Sequence, residues 1–374
     1  MSPDSAAEAA AALKDASRLG ASVRLSGGRT KWSWGAAVGE PDVEISTAGL
    51  DSIVEHNEGD LTAIVDAGVT LAALAERTGT ADQMFALDPP LGADAGATIG
   101  GAVATADSGP LRHRYGSVRD LVVGMTVALS DGTVSKSGGK VIKNVAGYDL
   151  AKLFTGAYGT LGAILQVAVR LHPLAPETAT AVGRGDEPHA LAAAAADLSH
   201  AQLELQSLDV RWEGGHGTVL ARSGGATAAD PSAEVAALLA ERGLEAAVIE
   251  DDAGLWDAQR AAQRSDAATV VRVSGLQDQT ATLLGFAERH DARVVTRTAL
   301  GLSWITLDAP ELVGELRAEL APSPCVVLDA PSHARADIDP WGPLEPGSTA
   351  LMERVRERFD PTRTCAPGIL AGSR

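Results

Sequence analysis

Between Gly92 and Gly109 the run GADAGATIGGAVATADSG offers only Ile99 and Val103 as sizeable side chains. Such a stretch builds little core, because the gain from burial scales with the apolar area removed from water. It is well suited to lying flat against another surface, since glycine lets a backbone approach without a Cβ in the way. Thr98, Gly100, Gly101, Ser108 and Gly109 can all present backbone or hydroxyl donors there. A flexible linker is the competing reading, but a linker would carry more Ser, Lys and Glu, and Ile99 and Val103 punctuate this run.

Two more glycine segments flank it. In RLSGGRTKWSWG, residues 24–35, a strand ends at Leu25 and Gly27-Gly28 turn the chain, letting N–H groups converge on an anion. Thr30 adds a hydroxyl and Lys31 a charge; an ordinary Gly-Gly hairpin turn has the same residues. In VIKNVAGYDLAKLFTGAYGTLGAIL, residues 141–165, Gly147, Gly156, Gly159 and Gly162 surround a short apolar helix, Leu150 to Phe154. Packing glycines explain much of that pattern. Asn144, Tyr148 and Asp149 beside the helix are less expected of pure core.

Charge singles out the same region. The chain as a whole has a formal net charge of −18. Between Pro110 and Thr155 the balance reverses: Arg112, Arg114, Arg119, Lys136, Lys140, Lys143 and Lys152 face only Asp120, Asp131 and Asp149. A local excess of cations in an acidic chain is an anion-attracting zone, although a solvated charged face would share part of it. Phosphate is the anion that glycine loops hold best. The ligand is not held in a Rossmann or Walker A site, because no G-x-G-x-x-G follows a strand and Gly139-Lys140-Val141 lacks the upstream Gly and the Ser/Thr.

The same net charge argues against nucleic acid and anionic membrane surfaces as partners. No run of about 18 apolar residues is present to span a bilayer. MSPDSAAEAAAALKDASRLG has neither the basic start nor the apolar stretch of a signal peptide, so a cytoplasmic protein is expected. Leu13, Ala16 and Leu19 space the apolar face of an amphipathic helix there. The cysteines, Cys325 and Cys365, number two, too few for a disulfide scaffold, a four-cysteine zinc site or an iron–sulfur cluster.

Strands are expected over Asp42–Ser46, Leu61–Val65, Leu121–Leu129 and Ala163–Leu171, with Thr70 capping a helix that stops at Gly79 and a hairpin turn at Asp131-Gly132. His172-Pro-Leu-Ala-Pro176 suits a domain exit. Beyond it, helices near 187–197, 232–242, 277–290 and 309–319 alternate with strands near 205–212, 217–222, 269–273 and 292–307. That alternation predicts an α+β unit, an antiparallel sheet backed by helices. A final helix runs from Leu351 to Phe359, and Ser223–Ser232 reads as a loop.

In order and spacing the three glycine segments resemble the PCMH-type FAD-binding domain of the vanillyl-alcohol oxidase family, over residues 20–172. KNVAGYDLAKLFTGAYGTLG is the specific part; it is similar to a signature of the FAD-binding subunits of glycolate oxidase, and GSVRD, Phe359-Asp-Pro361 and Pro367-Gly368 point the same way. The resemblance implies an α+β fold with an FAD-binding domain of two α+β subdomains (1–174). It adds an α+β cap domain with an antiparallel sheet (175–340) and a C-terminal segment (341–374) returning to the FAD domain. It implies FAD contacts at Gly27, Gly28, Arg29, Thr30 and Lys31, at Thr98, Ile99, Gly100, Gly101, Ser108, Gly109, Tyr115 and Gly116, and at Asn144, Val145, Gly147, Tyr148, Asp149, Gly159, Thr160, Gly162 and Ile164. Some family members bind FAD covalently through a His after the Gly-Gly; that position is Arg29, so non-covalent FAD is expected, with His113 as an alternative anchor. The tail reads Cys365-Ala-Pro-Gly368 where the family usually has Asn-Pro-Gly.

The chemistry implied is oxidation of a small 2-hydroxy acid such as glycolate or D-lactate. Larger relatives of this type carry a His-rich metal site near a Glu-His-Gly motif, which this sequence lacks. His216 reads as a surface turn, His333 and Arg335 as an exposed loop, and no metal site or catalytic base is assigned. Trp256 and Arg260, four apart on a helix, share a face; they line a pocket or form core Trp plus surface Arg. Two functions stay open. One is an accessory FAD subunit beside a larger FAD-binding subunit and an iron–sulfur subunit; the other is a self-sufficient dehydrogenase.

Overall fold

The structure is a computed structural model that describes residues 1–139 and 150–370. Its contacts define two compact units. The first comprises Met1–Ser108, Gly116–Leu174 and Pro343–Arg374; the second comprises Gly109–Tyr115 and Ala175–Gly342.

In the first unit a helix over Ala6–Leu19 is started by Ser5, whose hydroxyl accepts from the Glu8 N–H, and stopped by Gly20 at φ 67°. Ala9, Ala10, Leu13 and Ala16 of this helix bury against Val23, Ile45, Leu165 and Cys365. Leu19, expected on the apolar face, is instead 80% exposed, because it sits in the last turn as the chain leaves the core. The strand Val23–Ser26 pairs in parallel with Val43–Ser46. A five-stranded antiparallel sheet follows, in the spatial order Ile53–Asn57, Thr62–Asp66, Ala163–Arg170, Val122–Ala128 and Val134–Gly138. Gly132, at φ 83°, closes the hairpin between the last two.

The C-terminal residues rejoin this unit by backbone pairing. Val23 N–H donates to the Thr364 carbonyl at 2.7 Å, and Ala366 N–H returns a bond to the Val23 carbonyl at 2.8 Å. Asp360 fixes that turn, its carboxylate accepting from Thr364 and Cys365 N–H at 3.1 and 2.8 Å. Phe359 meets Phe154 edge to face, ring centroids 5.7 Å apart.

The second unit is one eight-stranded antiparallel sheet. Its spatial order is Glu245–Ile249, Thr178–Gly185, His216–Gly224, Ser207–Glu213, Arg293–Arg297, Leu302–Leu307, Thr269–Ser274 and Cys325–Asp329. The expected single run over 292–307 is two strands, separated by a turn at Thr298–Leu300 that ends on Gly301 at φ 59°. The expected loop over Ser223–Ser232 is shorter: its strand continues to Gly224 and a helix begins at Ala229, where Ser232 is buried and donates to the Ala179 carbonyl. Alternation decides what each face carries. Leu208, Val210, Trp212, Val271, Val273, Ile305 and Leu307 pack with Leu191, Leu198, Leu283, Leu284 and Phe286 of the helices over Pro188–His200 and Thr280–Arg289. The opposite face carries polar residues, among them Arg222, Asp209, Arg297 and Arg272.

Trp256 lies in the helix Ala253–Ala261, 1% exposed, its indole N–H donating to Thr180 Oγ1 at 2.8 Å. It is core, packed with Val182 and Leu220, while Arg260 pairs with Asp257 on its own helix. Beside it Asp252, 2% exposed, accepts from Thr180 at 2.7 Å and from Arg222 Nε and Nη2 at 3.0 and 2.9 Å. Removing one member of such a buried pair strands the other. Asp252→Ala should therefore lower stability by about 3–5 kcal/mol in urea unfolding followed by tryptophan fluorescence, whereas a loss below about 1 kcal/mol would mean the pair is solvated. No helix among the described residues is long and apolar enough to cross a membrane.

Candidate functional site

The strand Val23–Ser26 ends in Gly27-Gly28, and the chain then crosses in front of the small-residue run. A Cβ on Gly28 would lie 1.6 Å from the Gly96 carbonyl oxygen, and one on Gly27 2.2 Å from Thr98 Oγ1. At Gly28 two backbones thus abut, and at Gly27 the backbone lies against the Thr98 side chain. Arg29 follows in the left-handed region at φ 55°, a conformation uncommon for a non-glycine residue and one that clusters at functional sites. Its guanidinium is held by Glu44 at 2.8 Å and lies 4.5 Å from the centre of the Trp32 ring. Arg24 lies 3.8 Å from the same ring and donates to the Trp32 carbonyl.

These residues border a cleft whose mouth is open to solvent. Of the sequence candidates it gathers Gly27, Gly28, Arg29, Thr30 and Lys31 from the first segment. It adds Thr98, Gly100 and Gly101 from the second, and Gly159, Gly162 and Ile164 from the third. Among the described residues nothing accepts from the backbone N–H groups of Gly27, Gly28, Arg29 or Lys31. Lys31 brings an ammonium whose side chain is only 6% exposed, 3.2 Å from Asp107 Oδ2. The third segment approaches through Gly156, Tyr158, Gly159 and Gly162, all with positive φ.

The second segment contributes differently from the expectation. Thr98 caps the helix Ile99–Thr105. The Ile99 and Gly100 N–H groups donate to the Val69 and Ala67 carbonyls, both at 2.9 Å, and Gly101 N–H donates to Thr98 Oγ1 at 3.2 Å. Those donors are spent inside the protein. A Cβ on Gly100 would meet Ala67 Cβ at 2.7 Å, so this glycine lets the helix sit on the neighbouring loop. The helix supplies a wall, and the first segment supplies the open donors.

Other candidates lie elsewhere. Ile99 is fully buried in core, Ser108 is buried with its N–H on Asp107 Oδ1 at 2.9 Å, and Thr160 is buried with its hydroxyl donating to the Ala157 carbonyl at 2.7 Å. Gly116, at φ 86°, leads into the turn where Asp120 accepts from Ser117 N–H at 2.8 Å. Gly109 and Tyr115 belong to the second unit. There burial, opposed by Arg114 and Arg222, holds the Tyr115 phenol above its usual pKa, and burial holds His113 below its own. Asn144, Val145, Gly147, Tyr148 and Asp149 lie outside the described residues. Arg24, Trp32, Trp34, Thr47, Ala67, Ala104, Thr105, Tyr158 and Ile369 also line the cleft and were not anticipated. Trp32 and Trp34, within the first segment, were the available signal; Ile369 arrives only because the tail folds back. His216 pairs with Asp186 at 2.6 Å on an exposed turn. Among the described residues no group of three or more His, Cys, Asp or Glu is placed to hold a metal ion.

Glycines, backbone donors with no acceptor among the described residues and the buried Lys31–Asp107 pair thus border one cleft. Residues 1–138 match the family model described as an FAD binding domain, and FAD is the cofactor. Among relatives, the chain is 33% identical over 179 residues to glycolate oxidase subunit GlcE of Escherichia coli (strain K12), covering 45% of this chain and 50% of that one. It is 35% identical over 171 residues to D-lactate dehydrogenase of Archaeoglobus fulgidus, covering 46% and 38%. It is 39% identical over 130 residues to glycolate oxidase subunit GlcD of Bacillus subtilis (strain 168), covering 34% and 27%. The matched segment thus spans half or less of the length of these relatives. A solved structure of alkyldihydroxyacetonephosphate synthase aligns over 98% of this chain and 76% of its own, with a TM-score of 0.71 at 14% identity. The fold is the PCMH-type FAD-binding architecture, mixed α and β with antiparallel sheets.

Proposed function

We propose that this chain is the FAD-binding subunit of a glycolate or related 2-hydroxy-acid oxidoreductase, working in a complex with a larger FAD-binding subunit and an iron–sulfur subunit. The observation that carries the cofactor half is the set of N–H groups on Gly27, Gly28, Arg29 and Lys31 that no described residue accepts from. In this reading they cradle the pyrophosphate, with Lys31 adding charge and the wall from Gly159 to Ile164 running along the remainder of the cofactor. Supporting the substrate half are the similarities to GlcE, GlcD and the D-lactate dehydrogenase. Bound FAD would supply a two-electron acceptor for the carbon bearing the substrate hydroxyl. The chain's own residues bind and orient it, and Trp34 and Ile369 keep water from one side of the cleft. A self-sufficient dehydrogenase is the second reading; the similarity to the D-lactate dehydrogenase favours it.

Arg29 occupies the position from which a histidine would tether the flavin, and a guanidinium forms no such bond. The purified protein should be yellow, and acid precipitation should leave the flavin in the supernatant at close to one per chain. Flavin in the pellet would show a covalent link, and a colourless protein that FAD does not reconstitute would remove the cofactor assignment.

A further inference from the structure

On the first unit a second groove opens between the helix over Pro346–Phe359 and the turn that follows the helix over Leu150–Phe154. Leu153, Leu161, Leu351, Val355 and Leu370 give it an apolar lining. Leu351 is 59% exposed and Met352, also in the lining, 37%. Apolar surface gathered in this way marks an interaction site more often than bare solvent contact. The turn behind the groove is shared with the cofactor cleft: Ala157 and Thr160 line the groove, Tyr158 and Gly159 the cleft. The rim is cationic. Glu353 in the lining is held by Arg363, and the buried Arg356 turns Nη2 to the Cys365 carbonyl at 3.5 Å. Arg119 in the lining, and Arg354 and Arg358 on the helix, are exposed and pair with no carboxylate among the described residues. From Met352 to Phe359 the one carboxylate likewise left without a cation is Glu357.

We propose that this groove docks an acidic amphipathic helix of a partner polypeptide. Apolar side chains at helical spacing enter between the two walls, and flanking carboxylates meet Arg119, Arg354 and Arg358. A second copy of this chain is a poor occupant. A two-fold contact would set the same guanidinium groups against one another, between chains that each carry −18. An anionic bilayer is opposed by the same net charge, and its surface offers no ridge to fill a groove. Naming the larger FAD subunit as bearer of the helix rests on the proposed function; the acidic and apolar character rests on the groove. A helix seated here would lie one turn of chain away from the cofactor cleft.

The test is fluorescence anisotropy of a labelled synthetic helix of about 16 residues, Leu on one face and Glu elsewhere, added to the full-length, FAD-saturated chain. This peptide should bind, and its counterpart with Lys in place of Glu should bind about tenfold more weakly or worse. Leu351→Glu and Arg119→Glu should each weaken the acidic peptide by about tenfold or more, with FAD content unchanged. Leu351→Ala replaces the glutamate variant if that one misfolds. No binding of the acidic peptide, equal binding of both peptides, or wild-type affinity in these variants would overturn the proposal. Self-association in sedimentation that Leu351→Glu abolishes would name a second copy as the occupant. Binding to phosphatidylglycerol vesicles that Leu351→Glu abolishes would name a bilayer, and either result overturns the partner helix. Co-purification with the larger FAD subunit separates this inference from the proposed function. If the acidic peptide binds through Leu351 and Arg119 but no such subunit assembles, the complex falls and the groove stands. If assembly survives both Leu351→Glu and Arg119→Glu, the groove falls and the complex stands.

Discussion

Gly28→Val should strip the protein of its FAD. The Cβ introduced would sit 1.6 Å from the Gly96 carbonyl oxygen, a backbone atom with no flexible side chain to yield. Either the 27–31 loop or the small-residue run must move by more than an ångström. The N–H groups of Gly27, Gly28, Arg29 and Lys31 are then displaced, and the hydrogen bonds proposed from them to a charged group, each worth about 1.5–3 kcal/mol, are lost together. A loss of even one lowers affinity by roughly tenfold or more. Flavin content after gel filtration should fall from near one per chain to below about a tenth, which is the decade that 1.4 kcal/mol commands. Gly39→Val is the matched control, since a Cβ there meets nothing within 4 Å. Circular dichroism separates lost binding from lost folding; if Gly28→Val misfolds, Lys31→Gln offers a milder test in the same loop. Stoichiometric FAD in a folded Gly28→Val protein would place the cofactor elsewhere.

The sequence disclosed this cleft better than it disclosed which atoms serve it. Gly27 and Gly28 were legible because two adjacent glycines at a strand end have few uses, and the structure shows a close approach at both, to the Thr98 side chain at Gly27 and to the Gly96 backbone at Gly28. Gly100 and Gly101 looked the same on paper. Their N–H groups are consumed by Ala67 and Thr98, which is a matter of what packs behind a helix start and leaves no trace in local composition. Tyr158 and Ile369 escaped for a similar reason: one lines the cleft through an unusual left-handed φ, the other through a tail that returns some 340 residues after the strand it meets. In the second unit the antiparallel sheet followed from alternation and turn residues. Its edge strands, Glu245–Ile249 and Cys325–Asp329, did not, because each is only five residues long and lacks a distinct period. Trp256 and Arg260 were correctly placed on one helix, but spacing alone cannot tell a core tryptophan from a pocket wall, and the hydrogen bond to Thr180 decides for core.

Little or no glycolate oxidation is expected from the isolated chain, with activity rising by orders of magnitude once a larger FAD subunit and an iron–sulfur subunit are added. Electrons leaving a reduced flavin one at a time need a cluster or a dissolved acceptor, and the two cysteines of this chain cannot ligate a cluster. Both are also buried, and burial pushes each thiol above its ordinary pKa, so neither is poised as a thiolate ligand. The sequence carries no Glu-His-Gly motif of the kind used to orient a hydroxy acid on a metal. What it keeps is the FAD-binding segment: the glycine approach at Gly27 and Gly28, the Lys31–Asp107 pair and the N–H groups of Gly27, Gly28, Arg29 and Lys31 that no described residue accepts from. That combination suits a flavin used for relay or for holding a complex together. The competing reading is a self-sufficient, metal-free dehydrogenase whose arginines bind the carboxylate. Steady-state dye reduction by the FAD-saturated chain, with glycolate and D-lactate, separates the two. Turnover at roughly 1 s⁻¹ or above without partners lies in the ordinary enzyme range and would defeat the accessory reading. Activity that appears only on mixing with the other subunits, and that Gly28→Val removes, would tie the function of the complex to the flavin held here.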